Sequence, residues 1–482
     1  MVPLIETAGG GPDLVVAGAG GGLAGALRAA ELGLRVLVVE CSPQFRQGNN
    51  TSMSTAMVPG AGTRWQAGAG VDDSPAQFVA DIMAKTKGQA DPDLARALAD
   101  VSGRLVTWLA DHAGAPIELA TDFSYPGHSR LRCHTIPHRR GALLLQTLLA
   151  GVDRSPAVDL LTPARLQDVR VEDGRVRAAV VAYPDGSTED VPTAAVLLAT
   201  NGFGADPEMV RTHIPEMAGA AYHGSAESRG DAIRIGTGLG ADTAFLDAYQ
   251  GHGALSTPHA TLTGWATIMH GGVLVNRDGH RFGDETCGYS EFGHEVVAQP
   301  GGTAVLVFDR RIHDACLLFD DFRATVEAGA VRWADDPAGL AAAFGLDPAA
   351  VDRTIEETRA LAGTAGTDRF GRSYWEQPLG TPLAGVRVTG ALFHTQGGLR
   401  VDGRARVLRP DRSAIDGLYA SGGAAMGISG HGAAGYLAGN GLLPALGLAF
   451  LAAEHAAERA GTAGRPGPAD GDSERPGGTG RP

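Results

Sequence analysis

The chain has 482 residues, 44% hydrophobic and 20% charged, a composition that excludes a disordered or fibrous protein and leaves room for two compact units. A net charge of −14 with no basic block to offset it excludes a nucleic-acid partner. The four cysteines, Cys41, Cys133, Cys287 and Cys316, are far apart and form no CxxC pair, which argues against a thiolate metal site, an iron–sulfur cluster or a disulfide framework, so no metal is expected.

Two compositional biases stand out. Glycine, at 70 residues, is twice the ordinary share of about 7%. Lys85 and Lys87 are the only lysines among 40 basic residues, a bias that GC-rich coding explains. The opening MVPLIETAGGG has neither a basic nor an apolar signal region, and the longest apolar run, GLLPALGLAFLAA (441–453), is broken by proline. It is also shorter than the roughly 20 residues a membrane span needs. A cytoplasmic protein without a membrane span is expected.

In chain order, DLVVA (13–17) reads as a short buried strand, GALRAAELG as a helix and RVLVVE (35–40) as a second strand. SPAQFVADIMAKTKG and PDLARALADVSGRLVTWLADH have helical spacing, with Ser-Pro and Asp-Pro pairs as starts. RLQDVRVEDGRVRAAVVAYPDGSTEDV alternates apolar and polar residues about Asp173-Gly174 and Asp185-Gly186, which predicts a β-ribbon. AAVLLAT (194–200) is a buried strand ending in NGFG. Residues 253–375 mix strands (GGVLVN, TAVLVF) with helices such as PAAVDRTIEETRALAG, and read as a second domain inserted into the first. The expected organisation is a first part at 11–252, a capping domain at 253–375, a second part at 376–460 and a disordered tail at 461–482, where Gly, Pro and charge dominate.

The strand–glycine–helix–strand unit at 13–40 points to a dinucleotide. Gly18, Gly20, Gly21 and Gly22 would let a pyrophosphate approach backbone N–H groups at the helix start. Glu40, with Cys41 beside it, ends the second strand where an acid can bond ribose hydroxyls. Strict GxGxxG spacing would put glycine at 23, which is Leu23. Later segments favour FAD over NAD. They are FRQGNNTSMSTAM with Asn50, Thr51, Ser52, Ser54 and Thr55, then ATNGFG with Thr200, Asn201 and Gly202. RGDAIRIG follows with Asp231, then GLYASGG with Gly422, and last a helix start near Gly439 with Leu442 and Leu443. That last helix, in GHGAAGYLAGNGLLPALG (430–447), would aim its positive end at the flavin.

These segments, together with QGH (250–252), GHRFGDET (279–286) and HTQGGL (394–399), resemble the fumarate reductase/succinate dehydrogenase flavoprotein family over about residues 12–460. That family also contains 3-ketosteroid and tricarballylate dehydrogenases. The resemblance implies an α/β fold: a Rossmann-like FAD-binding domain with an inserted α+β capping domain. It also implies transfer of two hydrogens between FAD and adjacent carbons of a carbonyl-activated substrate. No histidine in GNNTSMSTAM matches the family's covalent attachment motif, so FAD is expected to be held non-covalently. Two arginines that fumarate reductases use, one as proton donor and one as carboxylate clamp, correspond here to Tyr289 and Tyr436, while two histidines are retained as His252 and His394. Neutral phenols cannot replace bidentate guanidinium groups, so fumarate and succinate are poor candidates. Tyrosines at these places look like the ketosteroid dehydrogenase branch, and GYLAG like tricarballylate dehydrogenase.

The expected roles are Tyr289 as base (or acid in reverse), Tyr436 and His394 as donors to the carbonyl oxygen, and His252 orienting the substrate. In SYPGHSRLRCHTIPHRRG (124–141), Arg132 and His134 are expected to meet an acidic substrate group, and the remainder to be a solvated loop. The favoured function is dehydrogenation of a C–C bond alpha,beta to a carbonyl of a small or cyclic substrate. An enone or enoate reductase, a flavin electron-relay subunit and an NAD(P)-dependent enzyme stay open. Without haem or iron–sulfur motifs, electrons would pass to or from oxygen, a quinone or a separate carrier.

Overall fold

The computed structural model describes residues 11–122, 125, 127–364 and 366–463. The expected tail from 464 onward lies outside them.

The first layer is built on strand β1 (Leu14–Ala17), helix α1 (Gly22–Glu31) and strand β2 (Val36–Val39). Helices α2 (Pro75–Lys85) and α3 (Pro92–Asp111) follow, started by Ser74 and Asp91, whose side chains accept from backbone N–H groups of the first turn. Helix α4 (Gly141–Arg154) leads into β3 (Val158–Leu161), and β4 (Arg165–Glu172), β5 (Arg175–Ala182) and β6 (Thr188–Pro192) form the expected antiparallel ribbon. Asp173 and Gly174 both take positive φ at its first turn, 51° and 74°. With β7 (Val196–Leu198) in place, the sheet order is β3-β2-β1-β7 and then, through the C-terminal strand, β5-β4. Val15 lies opposite Leu37 on one side and Val196 on the other, all parallel and buried on both faces.

Helix α5 (Asp231–Gly238) precedes a second sheet made of β8 (Tyr249–Ser256), β9 (Val273–Val275), β10 (Thr303–Asp309) and the long β11 (Leu383–Thr395). Between β9 and β10 lies the short helix α6 (Glu291–Val297), and helix α7 (Asp320–Glu327) follows β10. This sheet has its own core of Val273, Leu306, Phe308 and Val386 among others. The chain then returns to the first sheet as β12 (Ala414–Ala420), which pairs in parallel with β7, and ends in helix α8 (Leu442–Ala463).

Two boundaries differ from expectation. The strand at the centre of the second sheet, β11, begins at Leu383, beyond the expected domain end at 375, because it supplies the pairing edge for both β8 and β10. The last helix starts at Leu442 rather than near Gly439, whose φ of 88° is not helical.

The surplus of glycine around α1 is a packing requirement. A Cβ on Gly21 would come 2.8 Å from the Ala445 Cβ, one on Gly25 2.8 Å from the Ala449 carbonyl oxygen, and one on Gly22 2.7 Å from Val16 Cγ1. Gly22 and Gly25 thus do the close-approach work that position 23 would do in strict spacing, with α8 as an added neighbour. Gly25→Val is expected to destabilise the fold by about 1–3 kcal/mol or more, read from the urea midpoint at unchanged slope.

Candidate active site

The C-terminal ends of β1, β7 and β12 open onto a cleft of about 540 Å³ that continues under the second sheet. At its nucleotide end lie Gly18, Gly20 and Gly21, with φ of 108° at Gly18. Glu40 is buried, its two carboxylate oxygens accept from Ala19 N and Ser42 N, both at 2.8 Å, and it lines the cleft beside Cys41. Burial and the neighbouring Glu40 push the Cys41 thiol up to about 12, so it stays protonated. Asp231 lines the same end but is held by Arg165, which also pairs with Glu227.

The polar run after β2 folds over the cleft. Asn50 Nδ2 donates to the Phe393 carbonyl (3.2 Å) and its Oδ1 accepts from Ser225 N (2.8 Å), tying the run to the second sheet and to the loop before α5. Thr51, Ser54 and Thr55 line the cleft, while the Ser52 hydroxyl turns back to the Asn49 carbonyl. Thr200, Asn201, Gly422, Gly439 and Leu442 also line it. Gly22, Gly202 and Leu443 do not: Gly22 and Leu443 pack in the core, and Gly202 sits where a Cβ would collide with Thr395. Gly423 has no room for a side chain, since a Cβ there would lie 2.5 Å from Asn201 Oδ1.

Two buried hydroxyls on this wall, Thr200 Oγ1 and Ser421 Oγ, have no protein partner. Unsatisfied buried hydroxyls are costly, and both face space bounded by positive-φ glycines at 18 and 422. A ligand with phosphate and carbonyl acceptors fits that wall.

At the other end the register of β8 on β11 sets Gln250 opposite His394 and His252 opposite Ala391, with Phe393 as the extra residue of a bulge. The bulge turns the Phe393 ring onto His252, centroids 5.4 Å apart and planes 15° apart. On its other side His252 stacks on Tyr289 at 5.3 Å. Tyr289 is placed by Ser290, whose hydroxyl accepts from Gly251 N at 3.0 Å, and by its own carbonyl, which accepts from Gly253 N at 3.2 Å. Tyr436 meets Tyr289 edge to face at 5.8 Å and His394 at 6.2 Å. Four side chains 250 to 440 along the chain thereby converge on one wall.

Burial governs their protonation. It pushes His252 down to about 3 and His394 down to about 4, so both rings are neutral. Ala254 N–H donates to His252 Nδ1 (3.1 Å), leaving the ring proton on Nε2, a donor. His394 Nδ1–H donates to the Thr395 carbonyl (3.3 Å), leaving a lone pair on Nε2, an acceptor. His252 thus presents a donor, and His394 an acceptor where a donor was expected of it. Burial also raises both phenols above their ordinary value, Tyr289 well above it. Tyr289 lacks the lowered pKa its expected role as base requires. Against the rise, Tyr436 faces the Tyr289 hydroxyl and the backbone N–H groups of Gly439 and Gly441, so it is the better supported of the two as an anion.

Arg132 and His134 are not in the cleft. Arg132 is fully buried, bidentate to Asp73 (2.7 and 2.8 Å) and bonded to Asp81 (2.7 Å), and His134 Nε2 meets Thr63 Oγ1 at 2.8 Å. Asp73 and Asp81, 59 and 51 residues away, are not visible as partners in a local basic run. Missed from the same run is Arg139, which lines the cleft, pairs with Asp122 (2.7 Å) and donates to the Tyr125 hydroxyl (2.6 Å). The GHRFGDET motif supplies a buried ion cluster: Glu285 is bound by Arg281 (2.6 Å) and Arg372 (3.0 Å).

The FAD binding domain family matches residues 13–442. The chain belongs to the fumarate reductase/succinate dehydrogenase flavoprotein family. It is 27% identical over 454 residues to the NADH:fumarate oxidoreductase of Klebsiella pneumoniae, covering 93% of this chain but about half (48%) of that protein. The open conformation of a flavocytochrome c3 fumarate reductase superposes with a TM-score of 0.80 at 25% identity, covering 94% of this chain and 79% of the other. The 3-ketosteroid delta1-dehydrogenase of Sterolibacterium denitrificans shares the fold, with a TM-score of 0.76 at 23% identity over 93% of this chain and 99% of the other. The chain is thus an FAD-binding oxidoreductase, and the orphaned hydroxyls and glycine cradle are consistent with that cofactor. Among the described residues no helix is long and apolar enough to cross a membrane, and no group of three His, Cys, Asp or Glu could hold a metal.

Two outcomes follow from these environments. Arg132→Met strands two buried carboxylates and is expected to cost about 3–5 kcal/mol of stability; a change in substrate affinity at unchanged urea midpoint would contradict this. His128, His134 and His394 are held down at about 4 and His252 at about 3. Their depressed values mean the unfolded chain binds protons first as pH falls. Stability is then full above about 6.5 and declines from there toward pH 4, by on the order of 3 kcal/mol per histidine, measured as urea midpoints across that range.

Proposed function

We propose that this chain is an FAD-dependent dehydrogenase of a C–C bond alpha,beta to a carbonyl in a small or cyclic, weakly charged substrate. The observation that carries the reading is the Tyr289–Tyr436 pair facing each other across the cleft wall beside two neutral histidines. Arg139 and Arg165, the arginines lining the cleft, are each paired with acids. Among the described residues, no free guanidinium lines the cleft to clamp a dicarboxylate.

Gly18, Gly20, Gly21, Glu40, Thr200 and Ser421 would hold the cofactor, non-covalently, and bound flavin would supply the acceptor or donor of hydride. This chain's residues manage the proton. His252 Nε2–H donates to the substrate carbonyl oxygen, where charge grows in the transition state. Tyr436 exchanges a proton with the alpha carbon, helped by the Tyr289 hydroxyl and the Gly439 and Gly441 N–H groups that would stabilise its anion. His394 orients the substrate by accepting a hydrogen bond at Nε2. Phe393, Trp265, Leu262 and Met269 line the same space and exclude water from it.

One observation favours the reverse direction as a second reading. Burial keeps both phenols protonated, which suits donation to an enone. A cytoplasmic setting, with a quinone, oxygen or a separate carrier taking or giving the electrons, completes the proposal.

The test is anaerobic bleaching of the flavin by a panel of cyclohexanone, a saturated 3-ketosteroid and succinate, with viologen-driven reduction of 2-cyclohexen-1-one and fumarate for the other direction. The ketones and enone are expected to react and the dicarboxylates not. Tyr436→Phe is expected to slow the reaction by roughly 10²–10⁴-fold, the range for a positioned acid or base, and Tyr289→Phe by a smaller factor. Wild-type rates in both variants would refute the assignment.

A further inference from the structure

Behind the phenols lies a second, much smaller cavity. It measures about 10 Å³ and is lined by Lys85, Gly288, Tyr289, Ser290, Glu291, Tyr436 and Ala438. Tyr289, Tyr436 and Ala438 also line the main cleft, so the phenol pair is the partition between the two spaces. The small cavity has the size of about one water molecule and the polar partners such a water needs.

Its outer wall is an ion pair. Lys85 Nζ lies 2.5 Å from Glu291 Oε1, and both side chains are 17% exposed, so the pair touches solvent on one side and the cavity on the other. Lys85 comes from the last turn of α2 and Glu291 from the first residue of α6, elements remote in sequence. The pair is closely fitted. A Cβ on Gly288, whose φ is 139°, would run into the Glu291 carboxylate, and one on Gly127 would lie 3.3 Å from Lys85 Cγ. In a chain with two lysines, one is placed here. The mechanism above gives this pair no part, yet each turnover must return a proton to the phenols or remove one, and substrate and flavin would fill the cleft side.

We propose that Lys85 and Glu291 form the proton-exchange station of this enzyme, passing protons between solvent and the Tyr289–Tyr436 pair through one water in the small cavity. The inference rests on the reading of the phenols given above. In dehydrogenation the proton taken from the alpha carbon by Tyr436 leaves through Tyr289 and the water to the Glu291 carboxylate, and from there to solvent. In reduction the same path runs inward, and no electron moves along it. Burial raises the Glu291 carboxyl above its ordinary range while Lys85 opposes the rise, which suits a carboxylate that must take up and release a proton. The other titratable groups facing the pair are His294 on α6, Cys287 beside it and Tyr249 on β8.

The test uses holoenzyme and whichever compound of the panel reacts fastest, comparing the first turnover in stopped flow with steady-state turnover. Glu291→Gln and Lys85→Met are expected to lower steady-state turnover at least tenfold while the first-turnover rate stays within twofold. Added methylamine is expected to restore part of the Lys85→Ala loss, and Lys85→Arg to keep most of the rate. FAD content and the urea midpoint of each variant identify any that fail to fold, and the isosteric Glu291→Gln then carries the comparison. Unchanged steady-state turnover in well-folded Glu291→Gln and Lys85→Met overturns the station and leaves the phenols standing. Tyrosine variants that match wild type, or a panel in which nothing reacts, remove the reading on which it rests and the station with it.

Discussion

Everything around the cleft depends on how closely α1 can lie on α8. That contact exists because positions 21 and 25 lack side chains, and it brings the Ala445 and Ala449 turns of the last helix against the first. From it follows the geometry of the whole site. The glycine turn after β1 and the start of α8 face the same cleft, although more than 400 residues separate them. The segment leading into α8 then carries Tyr436, Gly439 and Gly441 to the end of β11, where a Cβ on Gly441 would lie 2.9 Å from His394 Nε2. One helix pair thus sets the distance between the cofactor cradle and the reacting wall.

The second sheet supplies the other half of that wall by register and one irregularity. His252 lies two residues from Gln250, the partner of His394, so both histidines share a face, and the bulge adds Phe393 to the wall between them. α6 packs on β11 through Gly390, where a Cβ would collide with the Gly293 carbonyl, and so holds the Tyr289 loop against β8. The low-dielectric environment built this way keeps both histidines neutral and both phenols protonated. At Tyr436, hydrogen-bond donors rather than fixed cations oppose the rise that burial causes.

Much of this was legible in the sequence because it depends on local pattern. The β1–α1–β2 unit, the ribbon with its Asp-Gly turns, the capped helices α2 and α3 and the strands ending at Leu198 and Ala420 follow from periodicity and turn residues. The placing of Tyr289, Tyr436, His252 and His394 near one another came from family likeness, not from spacing. What local pattern could not show are long-range pairings. Arg132 reads as a free cation in a basic run until Asp73 and Asp81 are seen around it, and Arg139, seven residues on, reads as solvated until the cleft is seen beneath it. The tautomers of the two histidines depend on the Ala254 N–H and the Thr395 carbonyl, and these determine which ring donates. β11 lies past residue 375 yet joins the second sheet, since a strand's sheet is decided by its partners.

The central claim is that a neutral phenol pair has taken the place of carboxylate-clamping arginines. Titrating oxidised holoenzyme with cyclohexanone and with malonate, and following the flavin absorbance difference spectrum, tests it most directly. The account predicts a saturable perturbation by the ketone and none by the dicarboxylate at equal concentration. Tight, saturable binding of malonate would contradict it.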